Sequence, residues 1–244
     1  MRFLLHDNQL GERGTTQAVW QYGLALQELG HEITVAFNQT SPANSPAIIS
    51  SIATDMALFS YTQQHELLTF GESFDAAYFI KSGENDGLVV PNIRNIVHSV
   101  FQEYEPHGNF YAYVSDWLAT VMRWRVLSAR GVLKGRLLKG LSGLRNGCEN
   151  AFRFDHIPHI SNMPQPDGNL RHALNIPDDA FVILRYGGYK TFDIPWVHQV
   201  LAESLAANPT WCLIAVNTQP FLEHQRCIYL PAITDRRELA NLLG

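Results

Sequence analysis

Apolar residues fall along this chain in short runs, separated by longer stretches whose apolar positions recur at a helical period. Phe3, Leu4 and Leu5 form a buried-strand signal, and residues 7–16, DNQLGERGTT, read as a loop. Ala18, Val19, Tyr22, Ala25, Leu26 and Leu29 then share one helical face. Thr15 or Thr16 stands where a cap is needed at the start of that helix, and Gly30 where a left-handed residue ends it. Residues 32–37, EITVAF, read as a strand rich in β-branched side chains. Strand, glycine loop, helix and strand in that order predict a right-handed βαβ unit with a parallel sheet.

The pattern continues through DAAYFIK (75–81), NIVHSVF (95–101) and YAYVS (111–115), the last running into the helical DWLATVMRWR. HIPHIS (156–161) reads as a final short strand. NMPQPDGN (162–169), with two prolines and a glycine, is the best linker in the chain. After it the alternation restarts with FVILRY (181–186), a helix over 194–205, WCLIAVN (211–217), CIYLP (227–231) and a helix from Thr234. The fold class expected is α/β, with two Rossmann-like doubly wound parallel-sheet domains over 1–163 and 164–244, the second incomplete. Sites are expected at the carboxyl ends of the strands and in a cleft between the domains.

Composition narrows the picture. The 244 residues are 46% hydrophobic and 17% charged, with net charge −5 and an isoelectric point near 6.0, so no whole-chain basic field points to nucleic acid. The three cysteines lack any CxxC spacing, which argues against a disulfide framework or zinc site and fits a reducing compartment. The start, MRFLLHDNQ, has too short an apolar stretch for a signal peptide, and no run approaches the ~18–20 apolar residues of a membrane span. A cytoplasmic location is expected. Charge is nevertheless uneven, because 117–148 holds seven basic residues and no acidic one, with leucines between them. Such a stretch suits an anionic membrane surface or an anionic acceptor, or else it is a mobile crossover, which its glycines favour.

Candidate chemistry sits on two glycine turns. Gly11 and Gly14 precede a helix whose free amides suit an anion, although a tight turn without ligand reads equally well. The turn is not GxGxxG, and Phe37 and Asn38 stand where a dinucleotide site needs an acid, so an NAD(P)-dependent oxidoreductase is disfavoured. RYGGYKTFD (185–193) repeats the strand-to-helix placement with Gly187, Gly188, Arg185 and Lys190. Its glycines permit close backbone approach and its cations suit phosphate, against the alternative of a solvated basic turn. His98 interrupts an apolar strand, as a core histidine held by a hydrogen bond or as a group facing a ligand. His156 and His159 have HxxH spacing, but Pro158 breaks the helical geometry that would aim both at one metal.

Taken together, the looped βα start, VSDWLA (114–119), HIPHISN, YGGYKTFD and YLPAITDRRELANLL resemble a GT-B glycosyltransferase, and more narrowly the retaining family-4 group. The resemblance is patchy but runs over nearly the whole chain. It implies an N-terminal domain that receives a glycan or lipid-linked acceptor and a C-terminal domain that holds a nucleotide sugar, with no metal or other cofactor. It places Gly11 and Gly14 at the donor diphosphate, His98 near the transferred sugar as the catalytic residue, and Lys190, with Gly187 and Gly188, at the diphosphate. Arg185 departs from the family pattern by preceding the glycines. The family's paired glutamates are absent before Gly244, which gives the expectation of a fragment with little activity, its exposed second sheet covered by a dimer or by nothing. A non-catalytic sugar- or partner-binding protein on the same frame is the remaining alternative.

Overall fold

The computed structural model describes every residue except 129–132, 162–163, 234 and 244, and describes 133, 134 and 243 by backbone alone. It is a mixed α/β protein of two compact units, Met1–Ser161 and Asn162–Gly244. The first contains β1 (Arg2–His6), α1 (Gly14–Glu28), β2 (Glu32–Asn38), α2 (Pro46–Asp55), β3 (Ala57–Tyr61) and α3 (Gln64–Gly71). It continues with β4 (Ala76–Lys81), β5 (Arg94–Ser99), β6 (Phe110–Tyr113), α4 (Asp116–Leu127), α5 (Leu133–Arg145) and β7 (Asp155–His156). The seven strands form an all-parallel Rossmann-like sheet in the order β3-β2-β1-β4-β5-β6-β7.

Both faces of this sheet are covered, as a parallel sheet requires. Successive strand residues point to opposite faces. Leu5 therefore packs with Val19, Val35 and Ile52 on one side, while its neighbour Leu4 packs with Leu67, Phe79 and Val90 on the other. β4 is buried along its entire length, which explains its unbroken apolar sequence. A third cluster, built on Val97, Tyr113, Met122 and Cys148, seats α4.

Several expectations need correction. Helix α1 begins at Gly14 with Arg13 as its N-cap and no capping side chain, so neither Thr15 nor Thr16 caps it. Gly30 does take the left-handed conformation, at φ 83°. The strand expected over 156–161 shrinks to Asp155–His156, because Pro158 has no amide to give to a ladder. No element is expected over residues 39–74, which supply α2, β3 and α3. The crossover expected after α4 contains a regular helix, α5, despite Gly135, Gly140 and Gly143.

The second unit carries α6 (Leu170–Ala173), β8 (Phe181–Tyr186), α7 (Pro195–Ala207), β9 (Trp211–Val216), β10 (Cys227–Leu230) and α8 (Arg236–Leu243). Its three strands are parallel in the order β10-β9-β8. Central β9 is buried from Cys212 to Val216, and Ile214 and Val216 pack with Ile176, Ile233 and Leu242. Asp235 caps α8, its carboxylate accepting the amides of Arg237 at 2.7 Å and Glu238 at 3.0 Å. Thr234, the alternative cap, lies outside the described residues. Phe181, Trp196 and Val200 stay exposed on this unit.

Candidate functional site

In a parallel sheet, ligands bind beyond the carboxyl ends of the strands where the strand order reverses. In the first unit that reversal lies between β1 and β4. Chain entry into the loop after β1 places His6 and Asp7 there, and β4 delivers Lys81. All three are buried, and each is already engaged. Asp7 accepts the Arg13 guanidinium on one oxygen and the hydroxyls of Thr15 (3.0 Å) and Thr16 (2.9 Å) on the other. This places a carboxylate at the start of α1, where the helix dipole favours negative charge. The Gly11–Gly14 turn thus wraps an anion of its own.

The two glycines of that turn differ. A Cβ on Gly11 would sit 2.5 Å from the carbonyl oxygen of Ala43, so packing of the turn demands glycine there. A Cβ on Gly14 would meet nothing. Beyond the turn, β2 ends at Asn38, whose side-chain oxygen accepts the amide (2.9 Å) and hydroxyl (2.7 Å) of Thr40.

Lys81 donates to Asp86 at 2.7 Å and to the carbonyl of Leu88 at 3.2 Å. Burial pulls its pKa down, and Asp86 pulls partly back. His6 meets the Tyr61 hydroxyl at 2.7 Å through Nε2, and its Nδ1 has no partner among the described residues. Burial, assisted by the charge of Lys81, lowers its pKa to about 3.

His98 is 0% exposed, which corrects the expectation that it opens to a ligand. Its Nδ1 is joined to the Tyr78 hydroxyl, and its ring lies 6.1 Å from Tyr22 and 5.6 Å from His159. Tyr22 donates to the carbonyl of Pro158 at 2.7 Å, which pins the segment carrying His159 against the histidine. Burial lowers the His98 pKa to about 3, with the nearby His159 adding to the effect. Nε2 is left without a partner among the described residues. His159 stacks on this aromatic group, while His156 faces Asp116 at 3.8 Å, so the HxxH pair does not converge.

The second unit offers a more open arrangement. A hollow of about 480 Å³ lies beyond the ends of β8 and β9, lined by Tyr189, Lys190, Phe192, Asp193, His198, Gln219, Pro220 and Phe221. His198 stacks on Phe221 with ring centres 4.0 Å apart and planes 16° from parallel, and Phe192 lies 5.4 Å from each. His198 Nε2 is held at 2.6 Å from the Phe192 carbonyl, and the Gln219 amide donates to the Tyr189 carbonyl at 2.8 Å. An aromatic wall is therefore fixed beside an exposed cation. Lys190 makes no hydrogen bond or ion pair among the described residues.

No protein-family model matches this chain, and no curated protein matches it. Its chemistry rests on geometry.

That geometry separates Lys190 from the other residues of its turn. Arg185 donates to Thr218 Oγ1 (2.6 Å), the Asn217 carbonyl (3.3 Å), Thr191 Oγ1 (2.9 Å) and the Gly188 carbonyl (3.3 Å). Its guanidinium also lies over the Phe192 ring, 5.0 Å from the centroid. The arginine braces two loops and has no free fork for a phosphate. Gly187 is small for the same reason, since a Cβ there would sit 2.6 Å from that guanidinium. On Gly188 it would sit 2.9 Å from the Thr191 methyl. Sequence reasoning missed Asp7, Phe192, His198 and Phe221, because only the folded loops bring them to their partners.

Proposed function

We propose that this chain binds a nucleotide-diphosphate sugar and belongs to the glycosyltransferase class, with a GT-B arrangement of two doubly wound domains and transfer to an acceptor hydroxyl with retention. The observation that carries the reading is Lys190, an exposed cation without a partner among the described residues, placed on a hollow that also has an aromatic wall. The aromatic side chains suit a nucleobase, and the ammonium suits a diphosphate. In transfer, the bond between the anomeric carbon and the diphosphate oxygen breaks and the acceptor oxygen bonds to that carbon. Negative charge builds on the departing diphosphate, where a fixed cation lowers the barrier. The acceptor's proton passes to the leaving phosphate, so no protein nucleophile is required.

Calorimetry with uridine and guanosine diphosphates tests the reading. One of them is expected to bind, and Lys190→Ala is expected to weaken it by roughly 10- to 100-fold, the worth of one charge-assisted contact. If neither nucleotide binds, or if the variant binds equally well, the donor-site assignment fails.

A second reading, a nucleotide- or sugar-binding protein without catalysis, draws support from the sealed position of His98 and from Asp7 filling the start of α1. Release of nucleotide diphosphate from a panel of nucleotide sugars separates the two. Turnover supports the transferase, and binding without turnover supports the second reading.

A further inference from the structure

Helix α5 packs in reverse of the usual order. A surface helix ordinarily turns its leucines inward and its small or polar residues outward. Here Gly140 and Gly143 face inward and are buried. A Cβ on Gly140 would sit 2.4 Å from the Phe152 ring and 2.5 Å from the Tyr104 hydroxyl, and one on Gly143 would sit 2.7 Å from Pro106. The glycines thus let the helix backbone lie close against the unit. Leu137, Leu138, Leu141 and Leu144 point the other way, at 42%, 64%, 50% and 44% exposure. The spacing i, i+1, i+4, i+7 gathers them on one side. Neighbouring α4 is exposed at Trp117, Trp124 and Leu127 as well.

Charge gives this face a direction. Seven of the chain's 18 lysines and arginines lie in 117–148, which contains none of its 23 acidic residues. Of these, Arg123, Arg125, Lys139 and Arg145 are exposed; Lys139 is paired with Glu105 and Arg125 donates to the Gln102 side chain, which leaves Arg123 and Arg145 without a partner among the described residues. The chain as a whole is negative, so this is a local cationic field built around exposed leucines. We propose that the outward face of α5 docks on an anionic lipid surface, leucines entering the headgroup boundary and the basic side chains meeting lipid phosphates. A second copy of the chain fits less well, because a two-fold pairing of this face would set like charges against each other. Tryptophan on the adjoining helix suits the interface between lipid and water. The inference does not depend on the glycosyltransferase reading.

Co-sedimentation of the full chain with vesicles is the test. Vesicles of phosphatidylcholine containing roughly one-third phosphatidylglycerol should carry the protein down, pure phosphatidylcholine should not, and added salt should release it. Arg123→Gln with Arg145→Gln should weaken binding by roughly 25-fold, taking about fivefold for each basic residue lost. Leu138→Ser with Leu141→Ser should weaken it at least about tenfold at unchanged charge. Circular dichroism should show both variants folded, since all four side chains are exposed. Equal binding to both vesicle types, or binding to neither, overturns the proposal. So does wild-type dimerisation that the leucine variant abolishes in the absence of vesicle binding, which would make the partner a second copy.

Discussion

Acidification should unfold the first unit from within, through His6 and His98. Both are buried, and burial lowers each pKa from 6.5 to about 3, with Lys81 assisting at His6 and His159 at His98. In the unfolded chain each returns to the ordinary value near 6.5. Between these values the unfolded state holds more protons, so stability rises with pH. The contribution is complete above about pH 6.5 and is lost as pH falls toward 3. Each histidine supplies a slope of about 1.4 kcal/mol per pH unit, and the pair nearly 3. From pH 7.5 to 5 the loss reaches about 4 kcal/mol, a large part of the 5–15 kcal/mol typical of a domain. Most carboxylates stay ionised over that range, which isolates the histidines. Urea unfolding followed by tryptophan fluorescence measures it, in a Trp196→Phe, Trp211→Phe background so that only the first unit reports. His98→Leu should lower the slope by about 1.4 kcal/mol per pH unit, whatever it does to stability at pH 7.5, while His6 and the burial-lowered His107 and His159 keep the remainder positive. A stability that is flat between pH 7.5 and 5, or a His98 ring titrating near 6.5 by NMR, would refute the reasoning.

Gly140→Ala gains about 1 kcal/mol of helix propensity but drives a methyl into Phe152 and the Tyr104 hydroxyl, so a net loss of about 1–2 kcal/mol is expected in thermal or urea unfolding. Arg185→Lys keeps the charge and loses the planar fork that reaches Thr191 and Thr218 together; the second unit should lose about 1–2 kcal/mol, seen as a lower urea midpoint. Gly14→Ala meets no atom within 4 Å at the first helical position, so stability should be unchanged or up by about 0.5 kcal/mol. Nucleotide affinity should stay constant in that variant, since Asp7 already fills the turn; a fall would show that the loop faces the donor after all.

The parallel fold was legible because buried strands such as AAYFIK announce themselves by composition, and the glycine turns between strand and helix mark the crossovers. The stretch between β2 and β4 was harder to read. Its strand, β3, sits at the sheet edge with Ala57 and Ser60 exposed and only Tyr61 fully buried, so the apolar run is interrupted by Ser60. Helix α5 was misjudged for a different reason. Glycine propensity is a local cost, of order 1 kcal/mol per residue, and close packing on Phe152 and Pro106 outweighs it. Tertiary contact decided that element, and no window of sequence contains the contact.

The site was legible only in part, and glycine shows why. A glycine that admits a ligand and a glycine that admits the protein's own side chain look identical in sequence. The fold tells them apart by what a Cβ would strike: the Ala43 carbonyl at Gly11, the Arg185 guanidinium at Gly187, and Thr191 at Gly188. Three of the four glycines read as ligand contacts therefore have internal partners. The same holds for charge. Asp7 and Arg13 stand six residues apart in one loop, and Arg185 precedes its glycines by two, yet only the fold shows that each cation is committed within its own turn. Lys190 remains exposed beside the aromatic wall, which is why the functional reading rests on it.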